Sequence, residues 1–446
     1  MKLPFIQSPG QRSSLMTQDD IIINGYPEQL ADGRIALVKR AGVTSHQTPT
    51  TTSTPRGLWY FNGELVSIYG SKLFHGTTEI GTNAIAGSGP CWAVEYGTTT
   101  KYLAITNGTT GYRLSTAWAL TTVSDGDYQS HVSGIAHLDG YIFTLGSTGQ
   151  IAHSDLRDFT AWNPNNVINA ESYSDGGVAI ARQLNYIAAF GSKTIEFFYD
   201  AANATGSILS RVTGALINIG CANARTMASI KEMPVFVSDG GAVFMLSNMQ
   251  PESISTPSVE RIINGAILTD AYAQSFEIAG HAFYMLTMPT TNVSLAYDIA
   301  TKRWWQVQDT SGNYWPYVNA CQNGMDVYFQ HGSGATFKLS GNQDNGSNFS
   351  LKARTAWVDM GTGRRKHLRS LEVFSDISAG DISVRYSKND FSTWSTARTA
   401  SLSGRARFLN FGEFRRIAFE FSHTHNEACR LIDVELEMSG IQQGQM

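Results

Sequence analysis

Four residues that can bind a metal ion alternate near the C-terminus: His423, His425, Glu427 and Cys429. Imidazole, carboxylate and thiolate groups are zinc ligands, and alternate residues of a β-strand lie on one face. The flanking sequence is nevertheless typical of a loop, between a strand that ends at Phe421 and one that begins near Arg430. We therefore interpret this segment as a solvated turn, and we predict neither a metal site nor a cofactor.

The densest cluster of positive charge is the run Gly361-Thr-Gly-Arg364-Arg365-Lys366-His367-Leu-Arg369. Its basic side chains could contact DNA phosphates or an acidic surface of a partner protein. The same run is equally consistent with the solvated entry to a β-strand. We therefore treat four residues as a candidate DNA or partner contact: Arg364, Arg365, Lys366 and Arg369.

Catalytic patterns do not emerge from the rest of the sequence. Ser387-Lys-Asn389-Asp390-Phe-Ser-Thr-Trp394 resembles a degenerate Asp-box, and residues 154–162 share its ending. Such boxes are turns in which a polar side chain caps the backbone and the tryptophan packs below it. A glycosidase needs a placed pair of carboxylates, which no spacing here identifies. Phosphate-binding loops and nucleophile elbows are also absent from the sequence. We expect that the protein is not an enzyme.

The element that must position any site is a repeated meander, and residues 272–307 are its clearest copy. Four short runs rich in aromatic and β-branched residues are separated there by turn signals, which predicts four antiparallel strands. Similar turn-and-strand markers recur roughly 38 to 48 residues apart, which is the period of a β-propeller. The markers lie at residues 62–70, 101–108, 139–146, 184–191, 233–240, 280–288 and 323–332.

Seven markers predict an all-β fold with a β-propeller of six or seven four-stranded blades. We assign residues 1–56 to an N-terminal arm with strands that contribute to propeller closure, and residues 57–340 to the propeller. The Gly-, Asn- and Ser-rich residues 340–347 indicate a solvated linker. Alternating strands beyond it predict a β-sandwich-like module over residues 348–446.

Composition and charge narrow the function classes. Charged residues make up only 16% of the 446 residues, and the 42 glycines suit a turn-rich β-protein. The net charge of −4 gives no overall basic field for nucleic acid. It is uneven, since residues 346–446 carry 14 basic against 11 acidic residues and the remainder carries 19 against 26.

Cysteine spacing and hydropathy bear on the cellular compartment. The four cysteines are widely separated, which predicts reduced thiols in a protein made in a cytoplasm. The sequence shows no signal peptide and no run of about 18 apolar residues, so we expect no membrane-spanning segment.

Several motifs resemble those of the packaged-DNA stabilisation proteins, which are the tail nozzles or hubs of short-tailed bacteriophages. Near the N-terminus these are Asn24-Gly-Tyr-Pro-Glu28 and Ala36-Leu-Val-Lys-Arg40-Ala-Gly42. The motifs that follow in family order are Asp158-Phe-Thr-Ala-Trp162, Gln183-Leu-Asn-Tyr-Ile-Ala-Ala-Phe-Gly191, Thr194-Ile-Glu196, Gly214 to Ala222, Gly280-His281, Phe283-Tyr284, Tyr297-Asp298 and Trp304. They are packing and turn motifs, so no catalytic residue is implied.

The resemblance implies a structural virion protein of the phage tail, synthesised in the host cytoplasm. It implies a homo-oligomeric ring, a hexamer, that continues the DNA channel below the portal and adaptor proteins. Such a ring gates the channel to retain packaged double-stranded DNA, takes part in DNA ejection, and carries tail fibres or a tail needle. Two alternatives stay open on the sequence: a carbohydrate-binding or glycan-depolymerising propeller, and a monomeric interaction scaffold.

Overall fold

The computed structural model describes residues 21–51, 54–376 and 379–439. In these residues β-strands form eight sheets, which confirms the predicted all-β class. The described helical elements are one α-helix, α1 (Pro257–Asn264), and one 3-10 turn (Ala224–Thr226). The helix begins at Pro257 because Thr256 caps it, with the Thr256 side chain accepting a hydrogen bond from the Val259 amide.

Seven of the sheets contain the blades of a β-propeller, and each blade is a four-stranded antiparallel meander. Four short strands precede the blades: β1 (Ile21–Ile23), β2 (Gly25–Gln29), β3 (Ile35–Lys39) and β4 (Val43–Gln47). Blades 1 to 3 then comprise β5 (Pro55–Phe61), β6 (Glu64–Tyr69), β7 (Lys72–His75), β8 (Thr78–Glu79), β9 (Trp92–Tyr96), β10 (Tyr102–Thr106), β11 (Gly111–Ser115), β12 (Leu120–Thr122), β13 (Ala136–Leu138), β14 (Tyr141–Leu145), β15 (Gln150–Asp155) and β16 (Asp158–Asn169).

Blades 4 to 7 continue the ring without a break in the pattern. They comprise β17 (Gly177–Gln183), β18 (Tyr186–Gly191), β19 (Ile195–Asp200), β20 (Leu209–Arg211), β21 (Ala228–Ile230), β22 (Met233–Val237), β23 (Val243–Ser247), β24 (Gln250–Ser253), β25 (Tyr272–Ile278), β26 (His281–Met288), β27 (Val293–Asp298), β28 (Arg303–Val307), β29 (Val318–Asn323), β30 (Asp326–Gln330) and β31 (Thr336–Leu339). The fourth strand of blade 7 is β4, which pairs antiparallel with β31. A strand from the start of the described chain therefore closes the ring.

Two-residue hairpin turns set the meander, as the turn signals predict. Asn62 and Gly63 have φ of 49° and 86°, and Asp139 and Gly140 have φ of 50° and 91°. Left-handed conformations at both turn positions match the right-handed twist of the flanking strands. This local chemistry is why the repeat is visible in the sequence.

Connections between blades are fixed by aspartates that cap the next hairpin. The Asp175 carboxylate accepts hydrogen bonds from the amides of Lys193 and Thr194, at 2.7 and 2.8 Å. Asp270 likewise accepts from the Thr290 amide at 2.9 Å and from its hydroxyl at 2.7 Å. Each aspartate therefore joins a connecting loop to the blade that follows it.

The C-terminal strands form a sandwich-like module together with strands from the N-terminal arm. Its own strands are β32 (Leu351–Arg354), β33 (Lys366–Ser375), β34 (Asp381–Ser387), β35 (Arg398–Ser401), β36 (Ala406–Phe414), β37 (Ala418–His423) and β38 (Arg430–Ser439). One sheet has the order β2-β3-β38-β33-β36, and the other places β1, β32, β37, β34 and β35 beside blade 6. One hydrophobic cluster contains residues of both sheets, including Phe419 and Phe421 from one and Leu371 and Val434 from the other.

Strand β1 joins the two halves of the molecule. It pairs parallel with β28, the outer strand of blade 6, and antiparallel with β32 of the module, so nine strands form one continuous sheet. Of the four N-terminal strands, β4 belongs to the propeller, whereas β2 and β3 belong to the module. The N-terminal arm is therefore shared between the propeller and the module.

A buried arginine holds this junction together. The guanidinium of Arg40 makes two hydrogen bonds to Asp344, at 2.9 and 2.6 Å, and both side chains are 6% exposed. It also donates to the Asn24 side chain and to the carbonyl oxygens of Ala41 and Gln308. Its planar face lies 3.7 Å from the ring centroid of Phe349. A buried charge is tolerated only when it is paired and hydrogen-bonded in this way.

The segment that the sequence predicts as a solvated linker is thus anchored at Asp344. The amides of Gly42 and Val43 also donate to the carbonyl oxygens of Gly341 and Gln343. Gly42 is required at this contact, because an added Cβ would lie 2.0 Å from the Gln343 oxygen. Gly341 and residues 345–348 are exposed, whereas residues 342–344 are half-buried or buried.

Substitution of Arg40 by methionine should destabilise the protein strongly, because it leaves the Asp344 carboxylate buried without its partner. We expect a loss of about 3–5 kcal/mol in the free energy of unfolding, seen as a lower urea midpoint. The matched control is Arg34→Met, which removes an ion pair with Asp32 whose side chains are 48% and 50% exposed. That change should cost less than about 1 kcal/mol. Equal effects of the two substitutions would contradict a special role for the junction.

Candidate interaction surfaces

The basic run lies on the module, in the loop before β33 and at its beginning. Arg364, Arg365 and Arg369 are exposed, whereas Lys366 is 5% exposed. The Lys366 ammonium donates to the carbonyl oxygens of Thr362 and Arg364, and burial lowers its pKa. The structure therefore presents three of the four sequence-predicted residues to solvent, and the fourth holds the loop together from inside.

Acidic residues on the same sheet compensate most of this positive charge. A hydrogen bond from Ser370, with Arg369 and Arg407 nearby, lowers the pKa of Glu437. The ion pairs on this face are Arg369–Glu437 at 3.2 Å, Arg407–Glu437 at 2.5 Å, Arg405–Glu372 at 2.6 Å and Arg365–Glu413 at 3.5 Å. Among the described residues Arg364 has no such partner, so it is the most available cation of the run.

The metal-like motif is divided between a strand end and a loop. His423, the last residue of β37, is 0% exposed and Cys429 is 1% exposed, so the predicted solvated turn is wrong for these two residues. Thr424 and His425 between them are exposed, as predicted. The burial arises because β37 continues to His423, which pairs with Leu351 in the module sheet. No group of three or more His, Cys, Asp or Glu side chains in the described part of the chain could hold a metal ion.

Burial leaves His423 in an unfavourable environment for its charged form. Neither ring nitrogen makes a hydrogen bond of good geometry within the described residues. Desolvation, with the positive charges of Lys39 and His425 adding to it, lowers the pKa of His423 to about 4, although the Ala379 backbone and Asp381 oppose this. His423 is therefore neutral in the folded protein near pH 7.

The Asp-box-like motifs cap turns, as the sequence predicts. Asp158 accepts a hydrogen bond from the Thr160 amide at 2.9 Å, and the Trp162 indole, 6% exposed, donates to the Phe159 carbonyl oxygen. In the second motif Asn389 accepts from the Thr393 amide at 3.0 Å. Both motifs stabilise hairpins and contribute no reactive group.

The family motif around His281 is a packing network within blade 6. His281 Nδ1 lies 2.7 Å from Asp298 Oδ2, and the same oxygen accepts a hydrogen bond from the Thr301 hydroxyl. The Trp304 indole donates to the Ile254 carbonyl oxygen at 2.7 Å. A histidine–aspartate pair also occurs in hydrolases, but here it joins the two hairpins on one side of blade 6.

A cavity with a volume of about 670 Å³ lies at the centre of the propeller. The first strands of all seven blades line it, namely β5, β9, β13, β17, β21, β25 and β29. Arg225 from the loop before β21 and the indoles of Trp59 and Trp92 are among the lining groups. Sequence reasoning missed this site, because its lining residues come from seven distant segments, two to four from each strand, and form no local motif.

Comparison with known proteins assigns the chain to a protein family. The family whose sequence pattern matches residues 25–339 is described as Bacteriophage P22 Gp10, beta-propeller. The chain belongs to this family. The match covers the propeller together with β2, β3 and the ring-closing strand β4, and it confirms the resemblance seen in the sequence.

A relative within this family is the tail hub protein gp10 of Salmonella phage P22. It is 23% identical over 340 residues, which span 71% of this chain and 67% of the relative. One solved structure with a similar backbone trace is BamB from Moraxella catarrhalis. The alignment has a TM-score of 0.41 at 10% sequence identity and covers 76% of this chain and 97% of BamB. The N-terminal domain of Nup159 has a TM-score of 0.39 at 8% identity, over 72% of this chain and 99% of that one.

None of the helices in the described residues is long and apolar enough to cross a membrane.

Acid should destabilise the protein in part through His423. The pKa of His423 is lower in the folded chain than the usual 6.5, so its contribution to stability is complete above pH 6.5 and is lost as the pH falls towards 4. We expect His423→Leu to reduce the acid-dependent loss of unfolding free energy by up to about 3 kcal/mol. The measurement is urea unfolding at pH 7.5 and pH 4.5.

The matched control is His425→Leu, because this side chain is 47% exposed. The control should keep the acid sensitivity of the unsubstituted protein. An equal pH dependence of the unsubstituted protein and the His423→Leu variant would rule out this role of His423.

Proposed function

We propose that the protein is a tail hub of a short-tailed phage, assembled as a homohexameric ring that continues the DNA channel below the portal and adaptor proteins. In this proposal the ring retains packaged DNA, takes part in its ejection, and carries tail fibres or a tail needle. The observation that carries the proposal is the family match over residues 25–339, with a relative that is a tail hub protein.

The charge distribution supports a conduit. Residues 1–345 carry 19 basic and 26 acidic residues, so most of the chain is net acidic. An acidic wall does not bind the phosphate backbone, and it therefore lets double-stranded DNA slide. Screening at physiological salt limits this repulsion to about 8 Å, which still acts on DNA in a narrow bore.

The motifs that carry the resemblance support a structural role rather than an enzymatic one. Asp158, His281 and Trp304 all take part in capping or packing. A ring of identical subunits needs contacts between two different surfaces of each subunit. The outer strands of several blades are short, such as β8, β12 and β20, so these parts of the rim offer little edge for open-ended strand pairing and leave loops for such contacts.

Genome retention tests the proposal. Particles assembled without this protein should package DNA and then lose it, because the channel below the adaptor stays open. The measurement is nuclease-resistant DNA per particle over several hours, with particles complemented by the unsubstituted protein as the control. If particles without the protein hold their genome as firmly as complete ones, the gating role is wrong and a role in adsorption becomes the better account.

We also propose that the exposed arginines of the module contact DNA or an acidic partner. The triple substitution Arg364→Gln, Arg365→Gln and Arg369→Gln should weaken binding to a short DNA duplex at 50 mM salt and reduce the salt dependence of that binding. Its effect on unfolding should stay below about 1 kcal/mol, since these side chains are exposed. Arg34→Gln, an exposed arginine of the N-terminal arm, is the control. Unchanged DNA binding would exclude phosphate contacts and leave an acidic protein partner, to be tested with the adaptor.

A further inference from the structure

The central cavity is lined by strands whose inner edges have no neighbouring strand. Each of its seven lining strands stands at the end of its sheet, so backbone amides and carbonyl oxygens face the cavity. A few of these groups are satisfied by side chains: Gln274 bonds both the Tyr317 carbonyl oxygen and the Ala320 amide, at 3.0 and 3.1 Å. Most of the ring is therefore available for hydrogen bonds to water or to a ligand.

One charged group in this cavity has an unusual environment. Arg225 is half-buried, and within the described residues its guanidinium makes no hydrogen bond and no ion pair. It lies over the ring of Tyr272, with 5.6 Å to the ring centroid. Burial lowers the pKa of Arg225, and the charges of Tyr272 and Asp270 only partly oppose this.

Asp270, the carboxylate whose charge acts on Arg225, is hydrogen-bonded through one oxygen only, since its Oδ1 is buried without a partner among the described residues. Asp270 accepts hydrogen bonds from the amide and the hydroxyl of Thr290, and it does not come within 4 Å of the Arg225 nitrogens. A guanidinium is a planar fork that matches two oxygens of a carboxylate or a phosphate. Because no carboxylate of the described residues forms an ion pair with Arg225, its half-buried guanidinium is free to bind an anionic ligand.

Aromatic faces complete the site. The indole of Trp59 lies along its own strand, because Gly57 has no side chain; a Cβ there would lie 2.0 Å from the Trp59 ring. Trp92 at the start of blade 2 lines the same cavity, and both indoles are partly exposed. Such faces pack against the rings of sugars or of other planar molecules.

We propose that the central cavity binds a small organic anion that carries a ring, with Arg225 holding its carboxylate or phosphate group and Trp59 and Trp92 packing against the ring. The volume of about 670 Å³ is within the range of small-molecule sites. Sugar acids and sugar phosphates both have this chemistry. The inference does not rest on the proposed role in a phage tail, since it uses only the geometry of one propeller.

Calorimetric titration of the full chain with glucuronate, glucose 6-phosphate and glucose tests the proposal. At least one of the two anions should bind, and about tenfold more tightly than neutral glucose. Preference for glucuronate would identify a carboxylate ligand, and preference for glucose 6-phosphate a phosphate ligand. Failure of both anions to bind, or binding equal to that of glucose, would overturn the proposal.

Two variants connect the binding to Arg225. Arg225→Gln should weaken binding of the tighter anion about tenfold, whereas Arg34→Gln, which changes an exposed arginine outside the cavity, should leave it unchanged. If Arg225→Gln fails to fold, Arg225→Lys keeps the charge and the apolar stem but loses the fork, and it should still weaken binding severalfold. Full affinity in a folded Arg225 variant would show that the anion binds elsewhere, and would reject this site.

Discussion

The structure depends on one buried charge. The Arg40 guanidinium uses its donors on Asp344, on the Asn24 side chain and on two backbone carbonyl oxygens, so the N-terminal arm, blade 6 and the segment after blade 7 meet at a single group. Any one of these partners, if withdrawn, leaves a desolvated charge or a buried carboxylate unpaired. Because β4 closes blade 7 only three residues after Arg40, the same contact that anchors the module also sets the position of the strand that closes the ring.

This constraint explains which parts of the fold the sequence could predict. The blades were predictable because hairpin turns such as Asn62-Gly63 are local. Asn and Gly favour the left-handed backbone conformation that such a turn requires. The junction was not predictable, because Arg40 and Asp344 lie 304 positions apart and no periodicity connects them. The motifs around Asn24, Arg40 and Gly42 were nonetheless recognisable as a family signature. The structure shows what these motif residues do. Arg40 and Asn24 belong to a buried hydrogen-bond network, and Gly42 lies where a Cβ atom would clash with the backbone of Gln343.

The candidate sites likewise have features that the sequence could predict and features that it could not. Alternation along β33 could have predicted that Lys366 turns inward while His367 and Arg369 face solvent, since a strand was expected there. The compensating glutamates could not be predicted, because Glu413 and Glu437 come from other strands of the sheet. Arg225 was invisible to sequence reasoning for a related reason. Arg225 stands out only because its guanidinium has no ion-pair partner among the described residues of the folded chain, and the amino-acid sequence does not show which side chains meet.

The junction also restricts how a tail hub built from this chain could open. Strand β1 hydrogen-bonds to blade 6 on one side and to the module on the other, so a hinge between propeller and module would have to break a continuous nine-stranded sheet. It would also have to expose the buried Arg40–Asp344 pair, at a cost of several kcal/mol. Opening within each subunit is therefore disfavoured relative to movement between subunits. Under the proposed role, the channel opens by a rearrangement of the ring, in which each propeller and its module move together.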